Sequence, residues 1–189
     1  IRSQFYASSE WTFGYPAATG IGTQHGGILV DFNAVKGGIE IIPLDNDWQK
    51  AAHVYSDEVL ISHRTDAEKG TPKFERGKSL SDHQCEMIYI SGTAAIRGEE
   101  SIVTGDVLVQ TEITLENIQH LIGLEEGREK LPEHSGKLEL LRVYLKHEED
   151  AKIVKEDMDK LCPDVPIVYL YADVCREELL VEIEGIAYL

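Results

Sequence analysis

Two carboxylates stand two residues apart in an otherwise apolar stretch near the end of the chain. Residues 179–187 read LLVEIEGIA, with Glu182 and Glu184 among leucine, valine and isoleucine. Side chains alternate between the two faces of a strand, so both carboxylates lie on one face. An apolar setting disfavours the ionised form of a carboxyl group and raises its pKa, which lets it donate a proton near neutral pH. The stretch therefore predicts a general acid or, as is commoner on strand faces, a solvated acidic pair.

The other reactive side chains show no spacing that by itself predicts a metal site or an activated nucleophile. The seven histidines form no close ligand pair, which argues against a metal site. Ser91 and Thr93 flank a glycine in a predicted turn, where their hydroxyls are available to a ligand but no base stands beside them. Cys175 by itself is typical of a small buried hydrophobic residue, and Arg76 by itself is a loop charge.

An earlier stretch of the chain echoes the acidic strand. Residues 28–35 read ILVDFNAV, and aligning Val30 with Val181 places Asp31 opposite Glu182. The echo predicts a duplicated fold in which residues 1–78 hold only the end of a first half and a connection, while residues 79–189 form a complete second half. The chain starts at Ile1 rather than at methionine, which we also expect of a fragment of a longer protein.

Composition narrows the class of partner. Among 189 residues there are 34 Asp plus Glu against 18 Lys plus Arg, and a net charge of −16 without a basic patch repels nucleic acid. No apolar run approaches the roughly 20 residues that cross a bilayer, so we expect no membrane partner. Three widely spaced cysteines argue against a disulfide framework and predict a reducing, cytoplasmic location.

Hydrophobic spacing predicts the helices that must position these residues. A helix is expected over residues 106–122, with Asp106 at its start and Gly123 at its end. Its inward face repeats every three or four residues, at Val107, Thr111, Leu115, Ile118 and Ile122. A second helix is expected over residues 150–161, between a polar loop at 125–136 and two prolines. Its inward residues are Ile153 or Val154, Met158 and Leu161.

The same spacing predicts seven strands. Gly37 and Gly38 form a hairpin turn between the first two, and residues 45–80 form a long irregular connection. The predicted strands cover residues 28–34, 39–42, 87–90, 94–96, 138–145, 167–174 and 179–187. The order of elements after residue 79 predicts an α+β fold, a sheet with two helices packed on one face.

Three motifs in this order resemble the Rid family, also called the YjgF or endoribonuclease L-PSP family. They are ISGTA at residues 90–94, the series GDV, QT and LEN within residues 105–117, and VEIEGIA at residues 181–187. The resemblance covers residues 80–189. It implies a chorismate-mutase-like α+β fold, usually assembled as a trimer with ligand clefts between subunits.

Further motifs are similar to those of chorismatases, which resemble two fused Rid-like halves. They are PAATGIGT at residues 16–23, NDWQ at 46–49, PKFERG at 72–77 and ADVCR at 172–176. This resemblance implies hydrolysis of the enol ether of chorismate to pyruvate and a cyclic dienoate or hydroxybenzoate. It implies a small carboxylate-bearing substrate, no metal or organic cofactor, and a homotrimer or pseudo-trimer.

The resemblance also implies roles for individual residues. Glu182 occupies the position of the family's acid, and Glu184 is a neighbour that tunes it or orients water. Cys175 stands where some chorismatases have a cysteine near the same site, which would bias the type of product. Arg76 is expected to bind a substrate carboxylate. Lesser candidates for substrate contact are Arg142, Tyr55, Ser91 and Thr93.

One departure from the Rid pattern bears on activity. Rid enzymes that hydrolyse enamines and imines carry an arginine two residues after a proline. In this chain the proline is Pro166, and the residue two positions after it is Val168 instead of arginine. Without the paired contact of that arginine with a substrate carboxylate, ordinary imine deaminase activity is disfavoured unless another cation such as Arg142 replaces it. The alternative to a hydrolase is a non-catalytic Rid-like domain that binds a small acid or serves assembly.

Overall fold

The structure is a computed structural model, and it describes residues 6, 10–24, 26–60, 70–123 and 137–189. The strands are β1 Glu40–Leu44, β2 Gly77–Ser81, β3 Glu86–Thr93, β4 Ile96–Arg97, β5 Glu100–Ser101, β6 Lys137–Leu145, β7 Ile167–Tyr171 and β8 Val181–Tyr188. Six of them form one sheet in the order β1-β2-β3-β8-β6-β7, and β4 and β5 form a small separate hairpin. Single 3₁₀ turns lie at Ala52–Val54 and Glu148–Asp150.

The terminal strand β8 lies in the middle of the sheet. It pairs antiparallel with β3 on one side and with β6 on the other, and β7 adds to β6 in parallel. Val181 and Ile183 of β8 and their neighbours Leu141 and Val143 of β6 have no exposed surface, because this face of the sheet meets both helices. The α+β prediction, with two helices on one face of the sheet, is therefore confirmed.

Helix α1, Val107–Leu121, begins and ends as its sequence predicts. The Asp106 side chain caps it by accepting hydrogen bonds from the backbone N–H groups of Leu108 at 2.9 Å and Val109 at 3.4 Å. Gly123, just beyond its end, has a φ of +75°, the left-handed conformation that glycine adopts at helix ends. All five residues of the predicted inward face are buried.

Helix α2, Ala151–Leu161, decides one detail that the prediction left open and corrects another. Val154 and Met158 are fully buried, whereas Ile153 is exposed, so the choice left open between residues 153 and 154 falls on Val154. Leu161 is also exposed, and the buried residue at this end of the helix is Cys162. The helical rotation from Met158 to Cys162 places this residue on the core face.

The predicted strand at residues 28–34 is wrong. None of these residues pairs with a strand in the described part of the chain, and Ile28 and Leu29 are 90% and 89% exposed. A strand needs a partner for its backbone hydrogen bonds, and the sequence pattern alone supplies none. The neighbouring prediction at 39–42 is confirmed as β1, which pairs with β2 rather than with residues 28–34.

Two further predictions near the sheet need correction. Ser91 and Thr93 do not form a turn, since both belong to β3, which continues past Gly92 to Thr93. The irregular connection at 45–80 contains β2 at its end, and residues 61–69 of it lie outside the described residues, as does the predicted loop at 125–136. The domain boundary near residue 79 stays a prediction.

Candidate active site

Glu182 and Glu184 lie on the face of β8 that points away from the helices. The cross-strand partner of Glu182 is Tyr144, and that of Glu184 is Arg142, both on β6. Val181 and Ile183, which alternate with the two carboxylates, fill the core. The alternation predicted from the sequence is therefore confirmed, and it separates a polar face of the sheet from the helical core.

Glu182 is the buried member of the pair. It is only 6% exposed, and burial raises the pKa of its carboxyl group from 4.5 to about 7, with the charge of Glu184 adding to this effect and that of Arg76 opposing it. A Cβ on Gly92 of β3 would overlap Oε1 of Glu182 and lie 3.1 Å from its Cδ. The carboxyl group thus occupies the space that a side chain at residue 92 would fill, and its raised pKa leaves it partly protonated at pH 7.

Glu184 has a different setting from Glu182. Its Oε1 accepts hydrogen bonds from Nη1 of Arg142 and from the hydroxyl of Tyr144, each at 2.7 Å. The pKa of Arg142 is raised, chiefly by its bond to Glu184, and burial and the same carboxylate raise the pKa of Tyr144. Glu184 is therefore a paired carboxylate beside the acid, and Arg142 already has an anionic partner.

Arg76 is a buried cation near Glu182. It is 3% exposed, and its Nη2 donates to the carbonyl of Lys50 at 2.6 Å and to the hydroxyl of Tyr55. Its guanidinium lies 5.5 Å from the ring centroid of Tyr55 and 5.6 Å from that of Phe74. Its Nε is buried and has no hydrogen-bond partner among the described residues. An unpaired buried donor on a cation is a natural contact for an anionic ligand group.

Tyr55 links Arg76 to a second guanidinium. Arg176 also lies 5.5 Å from the centroid of the Tyr55 ring, and it is 8% exposed. Its Nη1 donates to the carbonyl of Glu99 and to the hydroxyl of Ser101, each at 2.9 Å. Tyr55 is therefore a buried spacer that holds Arg76 by its ring and its hydroxyl.

Cys175 lies close enough to Glu182 for their charges to interact. Desolvation raises the pKa of its thiol to about 11, and the charge of Glu182 is the next cause. The residue as a whole is exposed, so the desolvated part is the thiol rather than the backbone. A thiol with this pKa is neutral at pH 7 and is a poor nucleophile.

The hydroxyls of Ser91 and Thr93 have partners inside the protein. Ser91 donates to the carbonyl of Glu75 and accepts from the backbone N–H of Ala18 at 3.0 Å. Thr93 donates to the carbonyl of Ser91 at 2.9 Å. Both residues are almost completely buried, so they build the wall of the site.

Two wall residues were missed by the sequence reasoning. Gly92 leaves room for the Glu182 carboxyl group, and a glycine inside a strand is itself a signal of close approach by another group. Thr19 approaches the same point from the N-terminal part of the chain, and its Oγ1 accepts a hydrogen bond from the N–H of Gly92 at 2.9 Å. Only the tertiary structure connects residue 19 with residue 92.

The described residues contain no group of three histidine, cysteine, aspartate or glutamate side chains arranged to hold a metal ion. None of the helices in this part of the chain has the length and apolar character that a bilayer crossing requires.

Several known proteins resemble this chain over most of its length. A chorismatase of Streptomyces rapamycinicus is 35% identical over 179 residues, which cover 90% of this chain and 50% of that protein. A 3-hydroxybenzoate synthase of Streptomyces hygroscopicus is 33% identical over 185 residues, covering 91% of this chain and 50% of that protein. A crystal structure of a chorismatase superposes with a TM-score of 0.67 at 27% identity, over 91% of this chain and 50% of that one.

The chain resembles chorismatases over about nine tenths of its length and has a Rid-like fold. A putative endoribonuclease L-PSP from Entamoeba histolytica shares the fold, with a TM-score of 0.52 at 12% identity, over 79% of this chain and 100% of that one. No family model matches the chain. This chorismatase-like domain spans about half the length of the relatives that it matches. The predicted Rid-like fold and the predicted resemblance to chorismatases are both confirmed.

Proposed function

We propose that this domain hydrolyses the enolpyruvyl ether of chorismate, or of a related small acid, and releases pyruvate. The observation that carries the proposal is the Glu182 carboxyl group, buried on the polar face of the sheet with a pKa of about 7 and a buried arginine nearby. The relatives named chorismatase and 3-hydroxybenzoate synthase support the choice of substrate.

The proposed reaction begins with a proton transfer to carbon. The protonated carboxyl of Glu182 gives its proton to the methylene carbon of the enol ether, and the C=C electron pair forms the new C–H bond. The adjacent carbon becomes an oxocarbenium ion, which water attacks. The added water gives one proton back to the Glu182 carboxylate, which leaves a hemiketal. As the bond between its central carbon and the ether oxygen breaks, the remaining hydroxyl proton passes to that oxygen, which yields pyruvate and an alcohol. Proton transfer and hydration are within the reach of these side chains, so the proposal includes no cofactor.

Arg76 is proposed to hold a carboxylate of the substrate. Its buried Nε has no partner in the described structure, and its Nη2 is fixed by Lys50 and Tyr55, so the guanidinium is oriented before a ligand arrives. Glu184 is proposed to tune Glu182 by its negative charge, which Arg142 and Tyr144 hold in place. Cys175 is proposed to line the cleft as a neutral thiol that biases the type of product.

Pyruvate release from chorismate tests the proposal. Lactate dehydrogenase and NADH report pyruvate directly, and we expect turnover by the parent protein and loss of at least ~100-fold in Glu182→Gln, which cannot donate the proton. Glu139→Gln, an exposed carboxylate on the neighbouring strand, is the matched control and should keep full activity. If the parent and Glu182→Gln release pyruvate equally fast, Glu182 is not the general acid.

A non-catalytic Rid-like binding or assembly domain is the second candidate. The exposed apolar residues of segment 28–35 favour it, because surface of this kind usually meets another protein surface. Calorimetric binding of chorismate by a folded protein that releases no pyruvate would favour this candidate. The imine deaminase alternative loses support, since Arg142 is already bonded to Glu184.

We also propose the larger arrangement that the sequence predicts. Residues 28–35, which form no strand in the described structure, would be the end of a first Rid-like half, and their exposed apolar side chains support this because such a surface is usually covered by another part of a protein. A homotrimer or pseudo-trimer is proposed from the Rid resemblance, and light scattering would measure it. Cytoplasmic location is proposed from the cysteines, and fractionation of cells would check it.

The exposed segment has its own test. Leu29 and Phe32 are 89% and 79% exposed, so replacing both with serine should leave the free energy of unfolding within ~0.5 kcal/mol of the parent and should reduce self-association. A loss of more than ~2 kcal/mol on urea denaturation would mean that this segment packs within the isolated chain.

A further inference from the structure

A strap formed by residues 15–23 crosses the edge of the site, and both of its ends are bonded to the domain. At the first end, the N–H of Tyr15 donates to Oε1 of Glu75 at 2.7 Å, and the N–H of Glu75 donates to the carbonyl of Pro16 at 3.1 Å. At the other end, Gly22 and Asp173 exchange two backbone hydrogen bonds of 2.9 and 3.2 Å. The strap therefore spans from the segment before β2 to the segment before β8.

The middle of the strap is bonded to β3 beside the acid. The N–H of Ala18 donates to Oγ of Ser91 at 3.0 Å, and the N–H of Gly92 donates to Oγ1 of Thr19 at 2.9 Å. These two bonds join consecutive residues of the strap to consecutive residues of the strand. The side chain of Thr19 is held by its own hydroxyl, so its methyl group has a defined position.

The methyl group of Thr19 faces the space that Glu182 occupies. A Cβ on Gly92 would lie 2.8 Å from Cγ2 of Thr19 and would overlap Oε1 of Glu182. The methyl group and the carboxyl oxygen are therefore neighbours across the gap that the missing side chain of Gly92 leaves. An apolar group at this place excludes water from the carboxyl group without offering it a hydrogen bond.

We propose that Thr19 is a positioning residue for Glu182, and that the strap keeps water away from this acid so that it retains its proton. The catalytic use of that proton rests on the proposed function, whereas the contact between Thr19 and Glu182 does not depend on any reaction. The strap affects the pKa of Glu182 by excluding water, while the charged and titratable groups around Glu182 affect it by electrostatic interaction. Those groups are Glu184 on β8, Tyr144 on β6, Arg76 before β2 and Cys175 before β8.

Two conservative substitutions at residue 19 separate its two roles. Thr19→Ser keeps the oxygen that accepts from Gly92 and removes the methyl group, so water gains access to the acid. Thr19→Val keeps the methyl group and removes the oxygen, so the acid stays covered while the N–H of Gly92 loses its partner. We therefore expect Thr19→Ser to hydrate the carboxyl group of Glu182 while the strap stays attached to β3. We expect Thr19→Val to weaken the attachment of the strap while the carboxyl group stays covered.

Carbon-13 NMR of labelled glutamate side chains measures the proton on Glu182 without any substrate. The signal is assigned by its absence in Glu182→Gln. We expect Thr19→Ser to lower the pKa of Glu182 by about one unit, a tenfold change in its dissociation constant, and Thr19→Val to leave it within ~0.3 unit of the parent. Val154→Ala, in the helical core, is the control for a general loss of stability and should also leave it unchanged.

Each outcome decides the inference. A Thr19→Ser variant that titrates like the parent would overturn it, as would a shift of equal size in Val154→Ala. A shift in Thr19→Ser alone supports it, even if the protein releases no pyruvate from chorismate, in which case the proposed function fails by itself. Loss of pyruvate release in Glu182→Gln with no shift in Thr19→Ser would keep the proposed function and remove the role of the strap.

Discussion

Replacing Glu182 with glutamine should change how the stability of this domain depends on pH. The carboxyl group of Glu182 has a pKa of about 7 in the folded protein, against 4.5 for an ordinary glutamate, and the leading cause is burial. Glutamine has nearly the same shape and cannot ionise. The difference between the parent and Glu182→Gln therefore isolates the cost of ionising one buried carboxyl group.

The size and sign of the effect follow from the two pKa values. Below pH 4.5 the carboxyl group is protonated in both the folded and unfolded states, so it makes no pH-dependent contribution. Between pH 4.5 and about 7 the unfolded chain loses the proton while the folded protein keeps it, so the free energy of unfolding falls as pH rises. Above about pH 7 the loss is complete, and it amounts to about 3 kcal/mol because each pKa unit is worth ~1.4 kcal/mol.

Urea denaturation from about pH 4.5 to pH 8 measures this difference. The stability of Glu182→Gln relative to the parent should rise by about 3 kcal/mol over this range, whatever constant offset the amide introduces. All other residues are the same in both proteins, so the difference between the two curves reports residue 182. Glu139→Gln, at an exposed position on β6, should run parallel to the parent. Parallel curves for Glu182→Gln as well would refute the reasoning, because the acid would then be hydrated in the folded protein.

Four more outcomes follow from the site. Gly92→Ala should lower the free energy of unfolding by ~1–3 kcal/mol in urea, because its Cβ displaces the carboxyl group of Glu182, and a neutral result would contradict the close approach. Arg76→Met should raise KM for chorismate by at least ~10-fold in the pyruvate assay with a smaller change in kcat, and an unchanged KM would mean that the carboxylate binds elsewhere. Lys78→Met should speed amide hydrogen exchange in residues 13–19 selectively, because Nζ of Lys78 donates to three consecutive carbonyls there, and uniform exchange across the domain would argue against this clamp. Cys175 should react with iodoacetamide at pH 8 about 100-fold more slowly than a free thiol of pKa 9.0, as followed by mass spectrometry, and a rate like that of the free thiol would mean that its sulfur is hydrated.

The local elements of this domain were predictable because their causes are local. The three- and four-residue spacing of α1, its Asp106 cap and Gly123 at its end depend on residues within a few turns of one another. The alternation in β8 likewise placed Glu182 and Glu184 on one face before any partner strand was known. These features depend only on local backbone geometry and neighbouring residues, so they can be predicted from the sequence alone.

The strand predicted at residues 28–34 does not form, although the stretch 28–35 resembles β8 in sequence. The segment has the composition of a strand and echoes β8, yet its large apolar side chains are exposed and it joins no sheet in the described part of the chain. Strand formation needs hydrogen bonds to another strand, and composition does not say whether one is present. β8 has β3 and β6 beside it, whereas segment 28–35 has no neighbouring strand among the described residues.

The chain's own sequence thus determined the fold class, the two helices and a pair of carboxylates on one face of a strand. Only the tertiary structure decided that Glu182 is the buried acid while Glu184 is paired with Arg142 and Tyr144. Gly92 leaves the space that the Glu182 carboxyl group occupies, and Thr19, more than 70 residues before Gly92 in sequence, borders the same space. Burial sets the pKa of an acid, and burial depends on what the folded chain brings beside it.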